Sequence, residues 1–272
     1  MHVLDLPEKS QDYLKAIFDL HEWGEGRATL GRIAERLGQR TSTTSEAIKR
    51  LVKQGLVEHA PYADVQLTDE GQSLALQMVR RHRLIETYLF RELGYALDEL
   101  HEEAEVLEHA VSDTFLERID AVMGRPLRDP HGDPIPSPAG VVNVPDVLSL
   151  SDATIASTYL IDRVSDRDPE LLSYLCDRGV LPGAKVVVCE RPYPELAELE
   201  IIAAPEASAV GSRVQLPAQS LGAVLVEVAS SGSADEYVAG ERGADEPEAV
   251  ERGADECTTD STVDRTSDKV EG

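Results

Sequence analysis

The sequence predicts a mainly α chain with a separate β domain and an acidic tail. Apolar residues recur at helical spacing through roughly the first 125 of the 272 positions, and short β-type runs replace them between residues 148 and 229. Beyond Ser230 periodicity is lost. Glu241-Arg242-Gly243-Ala244-Asp245-Glu246 recurs as residues 251–256, and residues 231–272 hold thirteen acids against four bases. A stretch with so little to bury is expected to be a disordered, solvating tail.

From the N-terminus, residues 7–23 place Tyr13, Leu14, Ile17, Phe18 and Leu20 on the stripe of an amphipathic helix, with Asp12 beside it. Gly24-Glu25-Gly26 turns the chain. Thr29 then caps a second helix with Leu30, Ile33, Ala34 and Leu37 at i, i+3, i+4 and i+7, and Gly38 ends it. A third helix over residues 41–54 turns Ala47, Ile48, Leu51 and Val52 inward and stops at Gly55. Short strands at residues 56–59 and 65–67, around the Pro61-Tyr62-Ala63-Asp64 turn, complete a winged helix-turn-helix over residues 1–70.

Arg40, Thr41, Ser42, Thr43, Thr44, Ser45, Glu46, Lys49, Arg50 and Lys53 are its candidate DNA-contacting residues. Residues 40–53 carry four bases against the single acid Glu46, in a chain whose formal net charge is -25. Such a local reversal of sign is the electrostatic footprint of a helix that meets double-stranded DNA. A winged helix used for protein contacts is the alternative.

Thr68, with Asp69 and Glu70 behind it, caps a long fourth helix whose stripe is Leu74, Met78, Ile85 and Leu89; His82 and Glu86 lie at i, i+4 on or beside it. A fifth helix starts at Leu97, and His101-Glu102-Glu103-Ala104-Glu105-Val106-Leu107-Glu108-His109 reads as its middle. A sixth, over residues 112–123, carries Phe115, Leu116, Ile119 and Val122. Long striped helices after a DNA-binding unit, here over residues 71–138, predict a homodimer interface. At helical spacing His101, Glu105, Glu108 and His109 share one sector, and imidazoles among carboxylates suit a divalent first-row ion. A solvated, Glu-rich face is the other reading.

Composition bounds the rest. A pI near 4.5, and only six lysines among 26 basic residues, are expected of a protein working in very salty cytoplasm, as in salt-loving archaea. Cys176, Cys189 and Cys257 form no C-x-x-C, which disfavours a disulfide framework or a zinc knuckle. With no long apolar run and no signal-type N-terminus, the chain is expected to be cytoplasmic and without a membrane partner. There is no H-E-x-x-H and no nucleophile with oxyanion donors, so neither an enzyme nor a small-molecule substrate is expected.

Five motifs then occur in order: Asp12-Tyr13-Leu14, Arg81-His82-Arg83-Leu84-Ile85-Glu86, the stretch from His101 to His109, Ser112-Asp113, and Pro130-His131-Gly132-Asp133-Pro134-Ile135-Pro136. Over residues 5–138 the chain resembles the diphtheria toxin repressor family of metal-dependent transcription repressors. The resemblance implies a homodimer that binds operator DNA when Fe²⁺ or Mn²⁺ is bound, and so shuts off metal-uptake genes. It also implies an activating site of Asp12, Glu105, Glu108 and His109 and an ancillary site of His82, Glu86 and His101.

Asp12 and Glu105 resemble the manganese-responsive branch, while His82, Glu86 and His101 resemble the iron-responsive one. Lys15 stands where the manganese branch offers another Glu. The expected metal is Mn²⁺, with Fe²⁺ as the alternative. After the Pro-rich stretch and a linker over residues 139–150, the β domain at 151–230 resembles the SH3-like barrel of iron-type members and of ferrous-transport accessory proteins. There Asp162 stands near an acid, and Ser165 near an amide, that complete the ancillary site. His131 is expected to be an ordinary loop residue. The rival readings are a winged-helix regulator that ignores metal and a metal carrier that does not bind DNA.

Overall fold

In the computed structural model, which describes residues 1–24, 27–60, 63–189, 193, 195–205 and 207–229, the first helices are α1 (Glu8–Glu22), α2 (Leu30–Arg36) and α3 (Thr41–Lys53). The expected acidic tail, Glu25-Gly26 of the first turn and Pro61-Tyr62 of the wing turn lie outside the described residues. Strands β1 (Val57–Glu58) and β2 (Gln66–Leu67) pair antiparallel as the wing. Leu14, Ile17, Ile33, Ile48, Leu51 and Leu56 form one core beneath these elements. Two residues assigned by spacing change places. Val52 is 40% exposed, whereas Thr44 is fully buried and accepts a hydrogen bond from the Tyr13 hydroxyl at 3.4 Å.

Helix α4 (Asp69–Leu93) begins where Thr68 accepts the Gly71 N–H, as its capping position requires. A Cβ on Gly71 would stand 1.9 Å from the Leu56 carbonyl oxygen, so only glycine lets α4 start against the wing. Leu74, Met78 and Val79 join the first core; Leu84, Ile85 and Leu89 build a second with Leu100, Ala104, Leu116 and Ile119 of α5 (Leu100–Leu107) and α6 (Asp113–Val122). Between the two cores α4 buries Arg81, His82 and Arg83. Buried charges require partners. Arg81 bonds the Glu108 carbonyl and Asp113, and Arg83 bonds Glu22 and the Pro134 carbonyl. The stretch from His101 to His109 is not the middle of a helix: α5 ends at Leu107, Glu108 caps it in helical conformation, and His109 follows in a turn.

The C-terminal unit is an SH3-like antiparallel sheet of β3 (Leu148–Ser149), β4 (Thr158–Val164), β5 (Lys185–Val188), β6 (Leu196–Ala203), β7 (Arg213–Pro217) and β8 (Val224–Val228), in the order β3-β8-β4-β5-β6-β7. It closes over Ile161, Val164, Val186, Leu199, Val214 and Val226, with α7 (Pro169–Cys176) capped by Asp168. Strand β3 falls inside the stretch expected to be linker; two residues are too few to show alternation. The loop of residues 129–136 fastens this sheet to the helices. Gly132, at φ +93, brings its backbone so close to the Asp162 carbonyl that a Cβ would stand 2.1 Å away, while Val164 donates to the His131 carbonyl. Among the described residues no helix is long and apolar enough to cross a membrane.

Candidate metal centre

Two clusters of imidazoles and carboxylates flank the buried polar stretch of α4. The outer one joins α1 to the end of α5: His109 Nε2 lies 3.0 Å from Asp12 Oδ1 and 3.6 Å from Glu108 Oε1. Gln11 fixes the state of His109. Its amide nitrogen donates to the Leu6 carbonyl at 2.8 Å, so its oxygen faces His109 Nδ1 at 2.9 Å and must accept from it. In the neutral ring Nε2 then presents a lone pair to the two carboxylates, the orientation a metal-ligating histidine takes. Asp12 Oδ1 is buried and makes no hydrogen bond among the described residues, although Nε2 is 3.0 Å away. Burial raises the Asp12 pKa. A divalent cation is the partner this donor set fits, and carboxylate oxygens suit Mn²⁺ better than a sulfur-containing site would.

The inner cluster draws on four parts of the chain and buries His82, Glu86 and His131. His82 Nε2 lies 3.0 Å from Glu86 Oε1, His101 Nδ1 lies 2.8 Å from Asp166 Oδ2, and the two rings meet edge to face at 5.0 Å. Glu86 Oε1 and His101 Nδ1 are again buried with no hydrogen bond among the described residues, close as these approaches are. A cavity of about 30 Å³ reaches His82, Glu86, His101 and Asp166. It has room for one ion or water. His131 enters from the far side, with Nδ1 3.8 Å from Glu86 Oε2 and Nε2 on the Leu97 carbonyl. Glu86, Asp129 and His131 therefore form a further group able to hold a metal.

Electrostatics separate the clusters. Burial works against charge on His82, yet Glu86 and Glu108 raise its pKa to about 10. Burial likewise opposes ionisation of Glu108, but Lys15 and His82 bring its pKa down to about 2. For Asp166 burial is outweighed by His101, and its pKa falls well below the usual carboxylate range.

Three sequence expectations meet a different geometry. Glu105 does not converge with Asp12 and His109; its Oε1 is held by Lys15 Nζ at 2.6 Å. Asp162 stands away from His101, bonded to Arg128 at 2.7 Å, and the acid beside His101 is Asp166. β4 carries a register shift between Ile161 and Arg163, and Asp166 lies beyond the end of the strand. His131, expected in an ordinary loop, is 1% exposed and part of the cluster. Gln11, Asp166 and His131 were the residues the sequence left unassigned; only the Pro-His-Gly-Asp-Pro spelling marked one of them.

On α3 the candidate DNA-contacting face divides in the same way. Arg40, Thr41, Ser42, Thr43, Glu46, Lys49, Arg50 and Lys53 are exposed, Ser45 is half-buried and Thr44 faces the core. A winged helix-turn-helix wired to imidazole–carboxylate clusters defines a metal-responsive DNA-binding regulator as a class. Residues 5–65 match the family model for the iron-dependent repressor N-terminal DNA-binding domain, residues 68–137 that for its metal-binding and dimerisation domain, and residues 148–228 that for the FeoA domain. The iron-dependent repressor IdeR of Mycobacterium leprae is 34% identical over 202 residues, covering 69% of this chain and 86% of that protein. The diphtheria toxin repressor of Corynebacterium diphtheriae is 37% identical over 205 residues, covering 69% and 87%. A manganese-dependent transcriptional repressor in complex with manganese aligns with a TM-score of 0.75 and 43% identity, over 81% of this chain and all of that one. The chain belongs to the iron-dependent repressor, or diphtheria toxin repressor, family.

Proposed function

We propose that this chain is a metal-dependent transcriptional regulator that binds operator DNA as a homodimer when Mn²⁺, or alternatively Fe²⁺, occupies its centre, and that it represses metal-uptake genes. The observation that carries this reading is the outer cluster: His109, locked by Gln11 with Nε2 free, faces Asp12 across the joint between α1 and the end of α5. A bound divalent ion would supply the positive charge that lets Asp12, Glu108 and His109 share one point. Asp12 then draws α1 toward α5. The next residue, Tyr13, donates to Thr44 inside α3, so α1 and the helix that carries Lys49, Arg50 and Lys53 shift together. A ligand changes such an equilibrium only by its differential affinity for the two arrangements, typically about 1–3 kcal/mol. Exposed Phe90, Leu93, Val106, Phe115 and Val122 on α4, α5 and α6 support the dimer.

The inner cluster is read as the ancillary site, with Asp166 bringing the C-terminal sheet to it. The test is binding of the full chain to promoter fragments in concentrated potassium chloride, with chelator, Mn²⁺ and Fe²⁺ in turn. Binding only with metal is the expected result. Binding with chelator present would make the chain a metal-blind regulator, and no binding under any condition would make it a carrier.

A further inference from the structure

Between the two clusters lies a third convergence of possible ligands: His82, Glu105 and Glu108. These are also the residues that surround the Lys15 side chain. Its Nζ stands 2.6 Å from Glu105 Oε1, 2.6 and 2.9 Å from the two Glu108 oxygens, and 3.3 Å from His82 Nδ1. We propose that the Lys15 ammonium is a built-in cation filling this central position, so that each protomer takes divalent metal in the outer and inner clusters and not between them. The inference rests on the metal-binding reading given above and adds what this chain's own lysine does to it.

The match of donors to acceptors is complete. An ammonium has three N–H groups and no acceptor. Three carboxylate oxygens receive them, while His82 Nδ1, 2.5 Å from Glu108 Oε2, is itself a donor to that carboxylate. The ammonium sits among these groups, beside the small cavity that the inner cluster also lines. Lys15 is 7% exposed, Glu108 is fully buried, and Leu14 and Ala16 on either side of Lys15 are packed in the interior of α1. Withdrawing Nζ would strand a buried charge on each side of the broken contact, which proteins avoid. A divalent ion entering beside it would face a like charge at short range. Glu105 is thereby committed to Lys15, which leaves Asp12, Glu108 and His109 as the outer ligands. It also ties α1 to α5 before any metal binds.

The test compares wild-type full-length protein with Lys15→Glu and Lys15→Gln. Bound manganese per protomer is measured by equilibrium dialysis with elemental analysis at saturating Mn²⁺, and electron paramagnetic resonance reports whether ions are spin-coupled. Lys15→Glu, which replaces the cation by a further carboxylate, is expected to hold one more Mn²⁺ per protomer than wild type. That ion shares Glu108 with the outer ion, so a coupled signal appears. Wild type is expected to show only uncoupled Mn²⁺. Equal stoichiometry in wild type and Lys15→Glu, or a coupled pair already present in wild type, overturns the proposal while leaving metal binding intact. Absence of Mn²⁺ from every form overturns the metal reading and this inference with it. If either variant fails to fold, judged by circular dichroism, the wild-type spectrum decides alone.

Discussion

The outer and inner clusters use the same chemical groups to different ends. The outer one has ligands from two elements, α1 and the end of α5, and its Asp12 and His109 side chains keep 29% and 14% of their exposure. The inner one buries His82, Glu86 and His131 but leaves His101 30% exposed, and its groups come from four parts of the chain: α4, α5, the loop of residues 129–136 and the segment after β4. Within it some charges are paired without metal and others are not: Asp166 is held ionised by His101 and His131 is driven toward its charged form by Glu86 and Asp129 despite burial, while burial pushes the Asp129 carboxyl well above its usual range. In the outer cluster burial raises the Asp12 pKa, against the opposing pull of His109 and Lys15. The difference separates a joint between two elements, α1 and the end of α5, from a junction that holds four parts of the chain together.

The sharpest way to break the comparison is His109→Ala. It removes an outer ligand without touching the cores, so the protein should remain a folded dimer whose operator affinity no longer rises with Mn²⁺, a loss of roughly 5–150-fold in response. Fluorescence anisotropy with a labelled operator, with and without chelator, reads it. Gln11→Leu should act more mildly on the same cluster, because it frees the His109 ring from its fixed tautomer; outer-site Mn²⁺ affinity should weaken by about 10–100-fold, as for other groups that orient metal ligands. Calorimetric titration of the two proteins checks this, and an unchanged affinity would mean that Gln11 does not orient the ring.

For the inner cluster the readout is stability. The His82 pKa is raised from 6.5 to about 10 in the folded protein, so its imidazolium stabilises the fold fully below about 6.5, and that contribution is lost as pH climbs through about 10. The Tm of chelator-treated protein should therefore fall between neutral and alkaline pH, and the fall should be smaller in His82→Gln. A pH-independent Tm in that window would contradict the assignment. The smallest effect on metal is expected from Asp162→Asn. Its Arg128 partner is weakened, at a stability cost of about 1–3 kcal/mol, while inner-site metal affinity stays as in wild type. Asp166→Asn should weaken inner-site metal binding and also lower stability, because it removes the charge that His101 holds.

The same contrast explains what the sequence could and could not reveal. Helical periodicity placed α1, α2, α3, α4 and α6, while the spacing that put His101, Glu105, Glu108 and His109 in one sector assumed a helix that in fact stops at Leu107. Asp166 escaped because it meets His101 from 65 positions away, on a segment that follows the end of β4 and carries no pattern of its own. Thr44 escaped for a different reason: a hydroxyl on a helix beside Ser42 and Thr43 reads as solvent-facing until Tyr13 is seen to donate to it. Lys15 was visible as an odd residue among carboxylates. Its place inside a ring of ligand atoms was not, because that place depends on α1, α4 and α5 meeting at one point.

The central claim is that the joint between α1 and the end of α5 is a metal centre. Anomalous diffraction from crystals of the full chain grown with Mn²⁺ tests it directly. A manganese peak enclosed by Asp12, Glu108 and His109 is the expected result. An intact Asp12–His109 contact with no peak between these residues would contradict the account.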